Sequence, residues 1–133
     1  MDRVFLDANV LFSAAYRQET RLLDLWDLEG AELVTSEYAL EEARRNCVDP
    51  AHRERLERLV EQIDVHADPP LDSQGDSPPD LPENDRPILQ AAVAGGASHL
   101  LTGDHRAFGR HYGTRIQGVL VVPPARYLSE RRS

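Results

Sequence analysis

The first dozen residues constrain this chain most. An apolar run, Val4-Phe5-Leu6, is stopped by Asp7, Asn9 follows two residues later, and apolar residues resume at Val10, Leu11 and Phe12. A short apolar run of this kind reads as a buried strand of a parallel sheet. Asp7 then stands at the strand's carboxyl end, where open α/β sheets place their ligands. A carboxylate there suits a hard cation such as magnesium, which takes oxygen ligands. It equally suits the N-cap of a following helix.

The rest of the chain alternates in the same way. Thr20–Glu29 reads as a helix capped by Thr20 and ended by Gly30, with Trp26 among its core residues. Glu32–Thr35 reads as a second strand, after which Ser36 caps a helix running to about Cys47. Asp49-Pro50 starts another helix, with proline in its first position. His52–Gln62 is amphipathic, its arginines interleaved with Glu54, Glu57 and Glu61. Ile63–His66 reads as a third strand. Residues 67–84 form an acidic, proline-rich connector rather than a folded element. A helix then opens at Asn84-Asp85, tolerates Pro87 in its first turn and ends at Gly95-Gly96. Ser98–Thr102 and Val119–Val122 complete the strands; Arg106–Tyr112 is short and helical or irregular, and Pro124–Glu130 makes a last helical turn or two. Strands separated by helices predict one α/β domain over residues 1–133, with a central parallel sheet of four to five strands and helices on both faces.

Composition narrows the function. The net charge of −8 argues against a general nucleic-acid coating protein, which would be basic. An enzyme that holds cations with carboxylates has no such need, because the metal meets the phosphates. All 15 basic residues are arginine, so any phosphate contact is made by a forked guanidinium. No apolar run approaches the ~20 residues needed to cross a membrane. The N-terminus lacks a secretory pattern, and the lone Cys47, read as structural, excludes an internal disulfide. Together these lead us to expect a cytoplasmic protein with no membrane partner.

Three acids recur at equivalent places. Asp7 and Asp104 follow strands, and Asp85 opens a helix after the connector. Right-handed crossovers bring the carboxyl ends of parallel strands to one edge of the sheet. Glu41 or Glu42 lies near that edge, early in the helix after the second strand. Each acid alone also fits a helix cap or turn. Crowded together they repel one another unless a cation neutralises them. Two divalent ions held in this way suit in-line attack on a phosphodiester. On the helical wheel, Glu42 lies about 115° and Glu41 about 145° from the centre of the apolar face, so Glu42 is nearer a pocket edge.

The segments LDANVLFSA, SEYALEEARRN and NDRPILQAAVAGGASHLLTGDHRAF together resemble the PIN-domain family of metal-dependent ribonucleases, which includes the VapC-like toxins of toxin–antitoxin pairs. The resemblance spans essentially the whole chain. It implies that Asp7, Glu42, Asp85 and Asp104 hold Mg²⁺ or Mn²⁺ and that Asn9 and Thr102 support them. The glutamate falls six residues after Ser36, as in the family. Many toxin members carry an acid just before the phenylalanine of the last block; Ala107 stands there in this chain, and Asp104 takes a neighbouring asparagine position. Arg106 and Arg110 are candidate RNA contacts, and His105 a candidate helper.

The resulting expectation is an endoribonuclease that prefers single strands, uses Mg²⁺ or Mn²⁺ and a metal-activated water, and forms no covalent intermediate. One alternative is a catalytically weak PIN-like binding or scaffold protein. Another is a different Mg²⁺-dependent phosphohydrolase, although Asn9 replaces the second aspartate of the D-x-D-x-T pattern. The resemblance further implies an RNA substrate, an antitoxin partner and a homodimer, with Leu22, Trp26 and Tyr127 as candidate interface residues.

Overall fold

The computed structural model describes residues 1–17, 20–69 and 81–131. Most of the proline-rich connector lies outside the described residues. Six strands form one sheet: β1 (Asp2–Leu6), β2 (Ala31–Ser36), β3 (Asp64–His66), β4 (His99–Leu101), β5 (Arg115–Ile116) and β6 (Val119–Val122). Their order is β3-β2-β1-β4-β6-β5, and every pairing is parallel except β5 with β6. The helices are α1 (Ala8–Tyr16), α2 (Glu37–Asn46), α3 (Pro50–Val60), α4 (Arg86–Ala94), α5 (His105–Phe108) and α6 (Pro124–Arg131).

This order places a switch point beside β1. From β1 the chain steps outward to β2 and β3; it then returns to β4 and steps the other way to β6. With right-handed crossovers, the helices of the two halves fall on opposite faces. α1 packs against α2 and α3, while α4 packs on β2 and β4. The carboxyl ends of β1 and β4 are neighbours, in register at Leu6 and Leu101. The crevice beyond them is where such sheets bind ligands.

The local signals explain most elements. Ser36 caps α2 by accepting from Ala39 N at 3.2 Å, and Asp49 caps α3 by accepting from Ala51 N at 2.8 Å with Pro50 behind it. Leu56 points from amphipathic α3 into the core and is fully buried. Val4, Phe5 and Leu6 are buried as a two-faced strand requires.

Three expectations need correction. The Thr20–Glu29 helix is a tighter 3₁₀ segment over Arg21–Asp27, capped by Thr20. Trp26 there is partly buried against the core and donates its indole N–H to Leu59 O at 3.0 Å. The sheet has six strands rather than four or five, because β5 pairs with β6 across Gln117-Gly118, both at positive φ. A two-residue strand is too short to show a period, but the x-Gly turn was a legible hairpin signal. Tyr127 is core rather than interface: it is buried and its hydroxyl donates to Asp2 Oδ2 at 2.7 Å.

Candidate metal centre

Asp7 sits at the switch point. Its backbone N–H donates to Leu101 O at 3.1 Å, continuing the β1–β4 ladder by one residue and drawing the side chain inward. The residue is only 3% exposed. One carboxylate oxygen, Oδ1, accepts from Ala8 N at 2.7 Å, so Asp7 does cap α1. The other, Oδ2, accepts from Thr102 Oγ1 at 2.7 Å and from Asn9 Nδ2 at 3.2 Å. The cap and the site are therefore the same side chain, with one oxygen serving each.

Thr102 and Asn9 form the frame around that second oxygen. Thr102, fully buried just beyond β4, accepts from Asp104 N at 3.1 Å. Asn9 accepts from Gly103 N at 2.8 Å, so α1 is stitched to the loop after β4. Tyr112 donates its hydroxyl to Thr102 O at 2.8 Å. Beneath Asp7, Thr35 of β2 donates to Leu6 O at 2.8 Å. Tyr112 was not singled out from the sequence, since nothing local links it to position 102.

The remaining acids differ in their local roles. Asp104 caps α5, accepting from Ala107 N at 3.1 Å. Asp85 closes a 3₁₀ turn (Glu83–Asp85) and precedes α4, but its side chain makes no capping hydrogen bond. The cap reading of Asp85 thus does not hold, and its carboxylate is left for another use. Glu41 is turned to solvent and paired with Arg44 at 2.7 Å. Glu42 is partly buried and faces the other acids.

Electrostatics bring these acids together. Burial raises the Asp7 pKa to about 6, with the Asp85 and Glu42 charges adding to the shift against the opposing hydrogen bonds from Thr102 and Ala8. Burial likewise raises Asp85 to about 6, helped by the Asp104 and Glu42 charges. Tyr112 is raised by burial and then by Asp104 and Asp7. Asp7, Glu42 and Asp85 therefore lie within one another's fields, and Asp104 joins them through Asp85. Among the described residues, however, no three His, Cys, Asp or Glu side chains stand close enough to form a ready-made cation cage. The chemistry of the four acids still fits a hard divalent cation, being all oxygen donors with excess negative charge and raised proton affinity at the most buried member.

Ala107, at the position where many toxins carry an acid, is buried and belongs to the core cluster in this chain. Arg106 is exposed and makes no ion pair among the described residues; Arg110 is exposed on the following turn, and so is His105, whose ring meets Tyr112 edge-on at 5.4 Å.

The α/β sheet thus places a buried aspartate at its switch point, with acidic side chains from three other segments of the chain around the same end of the sheet. Residues 3–106 match the PIN domain, and the chain belongs to that family. Its fold is similar to that of VapBC2 from Rickettsia felis, solved bound to a DNA fragment from their promoter. That match has a TM-score of 0.66 and 15% identity, covering 91% of this chain and 98% of that one. VapBC-1 from nontypeable Haemophilus influenzae matches with a TM-score of 0.60 and 19% identity, over 92% of this chain and 98% of that one. VapC20 of Mycobacterium tuberculosis, a toxin that cleaves the sarcin-ricin loop, matches with a TM-score of 0.53 and 18% identity, over 80% and 95%. No curated protein sequence matches the chain. No helix among the described residues is long and apolar enough to cross a membrane.

Proposed function

We propose that this protein is an endoribonuclease dependent on Mg²⁺ or Mn²⁺ and the toxin of a toxin–antitoxin pair. The observation that carries the reading is the buried Asp7 at the switch point, with Glu42 and Asp85 close enough to act on its charge and Asp104 close enough to act on that of Asp85. Family membership and the similarity to VapC20 and the VapBC structures support it. The substrate is single-stranded RNA, and the second partner is an antitoxin protein.

Asp7, Glu42, Asp85 and Asp104 would hold the cation. When bound, it supplies Lewis-acid stabilisation of the developing phosphorane charge and lowers the pKa of water. The protein's own groups supply position. Thr102 and Asn9 donate to Asp7 Oδ2 and fix its orientation. Gly103 N on Asn9 Oδ1 keeps that amide from turning over. Arg106, exposed two residues after Asp104, would meet a neighbouring phosphate as an RNA contact, with Arg110 further along.

Linkage tests the metal directly. Millimolar Mn²⁺ is expected to raise the melting temperature, because it binds the folded carboxylate set and not the unfolded chain. RNA cleavage is expected with Mg²⁺ or Mn²⁺ and none with EDTA. A melting curve indifferent to Mn²⁺ together with intact RNA would favour the second reading, a PIN-like binding or scaffold protein. One observation speaks for that reading: the acids do not form a ready-made cage.

A homodimer belongs to the same proposal. Leu22 and Trp26 are only partly covered, unlike Tyr127. Light scattering is expected to give twice the 14.9 kDa chain mass; a monomer at high concentration would remove the dimer from the proposal.

A further inference from the structure

Tyr38 makes two long-range connections. Its backbone N–H, in the first turn of α2, donates to Asp68 Oδ1 at 3.3 Å. Its hydroxyl donates to Asn84 O at 3.0 Å. Asp68 and Asn84 lie on either side of residues 70–80, so one tyrosine gathers both flanks of that stretch. Asn84 immediately precedes Asp85. On α2, Tyr38 and Glu42 are four residues apart and share a face. The phenol lies close to the Glu42 and Asp85 charges, which add to burial in raising its pKa, and within hydrogen-bonding reach of Glu42.

From this geometry we infer that Tyr38 is a positioning residue for the cation site: its hydroxyl fastens the Asn84-Asp85 turn to α2 and thereby holds the Asp85 carboxylate beside Glu42. The inference rests on the metal reading above. The physical need is plain. Asp85 and Glu42 repel each other, and bringing together Tyr38 and Asn84, 46 residues apart in the chain, costs conformational entropy. Helix α2 and the turn before α4 therefore need an attachment that does not itself add charge near the acids. A neutral O–H donating to a backbone carbonyl supplies one. The bond also fixes the main chain next to Asp85 rather than its carboxylate, so both carboxylate oxygens remain available.

The test is Mn²⁺ binding, read from the paramagnetic resonance of free Mn²⁺ and independent of RNA cleavage. Tyr38→Phe keeps the ring and removes only the hydroxyl. It is expected to weaken Mn²⁺ binding by about 3–10-fold, the equivalent of one net hydrogen bond, while the metal-free protein still melts cooperatively. Tyr127→Phe, which loses a hydroxyl bonded to Asp2 at the other end of the sheet, is the comparison and is expected to bind Mn²⁺ as the wild type does. Superimposable Mn²⁺ curves for wild type and Tyr38→Phe would overturn the inference and leave the metal reading standing. Equal weakening in Tyr38→Phe and Tyr127→Phe would overturn it too, because general destabilisation would then account for the loss. Wild-type protein that binds no Mn²⁺ would overturn the metal reading and this inference with it.

Discussion

Asp7→Asn is expected to abolish metal-dependent RNA cleavage and to make the metal-free protein more stable. The two effects have one cause. In the folded protein Asp7 is 3% exposed, and burial with the Asp85 and Glu42 charges holds its pKa at about 6. In the unfolded chain an aspartate titrates near ~3.9. A carboxyl whose folded pKa is raised contributes most to stability below its unfolded pKa, where it is protonated in both states. That contribution is lost as pH rises through the folded pKa. Above about pH 6 the native state carries a buried charge worth about 3 kcal/mol at most, at 1.36 kcal/mol per unit. Asparagine removes the charge, although its amide cannot accept from both Ala8 N and Thr102 Oγ1. The net gain is therefore about 1–2 kcal/mol, seen as a rise of several degrees in melting temperature. The gain should be largest at pH 7 and should vanish near pH 4. With Mn²⁺ the order reverses, because the wild type gains binding energy that the variant cannot. Cleavage should fall by at least about 10²-fold, since several kcal/mol of cation-assisted stabilisation depend on this oxygen donor. An Asp7→Asn protein that is less stable at pH 7 without metal, or that still cleaves at the wild-type rate, would remove Asp7 from the centre of the site.

The second large effect separates two adjacent glutamates. Glu42→Gln is expected to lose metal-dependent cleavage by about 10²-fold or more, whereas Glu41→Gln retains most of it. The structure gives each a distinct setting. Glu41 is exposed and engaged with Arg44, which also bridges to Glu57 at 2.8 Å. An exposed i,i+3 pair of that kind is worth well under ~1 kcal/mol, so its loss should barely register in the melting curve. Glu42 instead adds to the raised pKa of both Asp7 and Asp85. Glu42→Gln should therefore also lower the pKa of Asp7, detectable by NMR titration of its carboxyl carbon. If Glu41→Gln is the inactive variant and Glu42→Gln keeps activity, the helical register and the site built on it are both wrong.

Much of the architecture was legible in local pattern. Val4-Phe5-Leu6 reads as a two-faced strand because a parallel sheet covered by helices buries both sides of its strands. Ser36 and Asp49 read as caps because their oxygens reach N–H groups two or three residues away. The preference for Glu42 over Glu41 came from a 100° step along one helix. The strand and cap readings succeed because the interacting groups are close in sequence, so backbone geometry alone decides what meets what.

What lay beyond the sequence depends on meetings across long chain separations. The bond from Thr102 to Asp7 joins residues 95 apart, and that from Tyr38 to Asn84 joins residues 46 apart. No period or motif encodes either contact, and only the strand order that sets β4 beside β1 creates the first. Whether an acid is a cap, a ligand or both was likewise undecided locally. Asp104 and Asp85 both fitted a helix cap, yet only Asp104 makes the capping bond. Ala107 read as a missing ligand, but packing turns it into the core. The amino-acid sequence by itself determined β1 to β4, β6 and the longer helices. The tertiary structure alone decided how deeply Asp7 is buried and which charges surround it, because burial and electrostatic coupling are properties of the assembled sheet and not of any one segment.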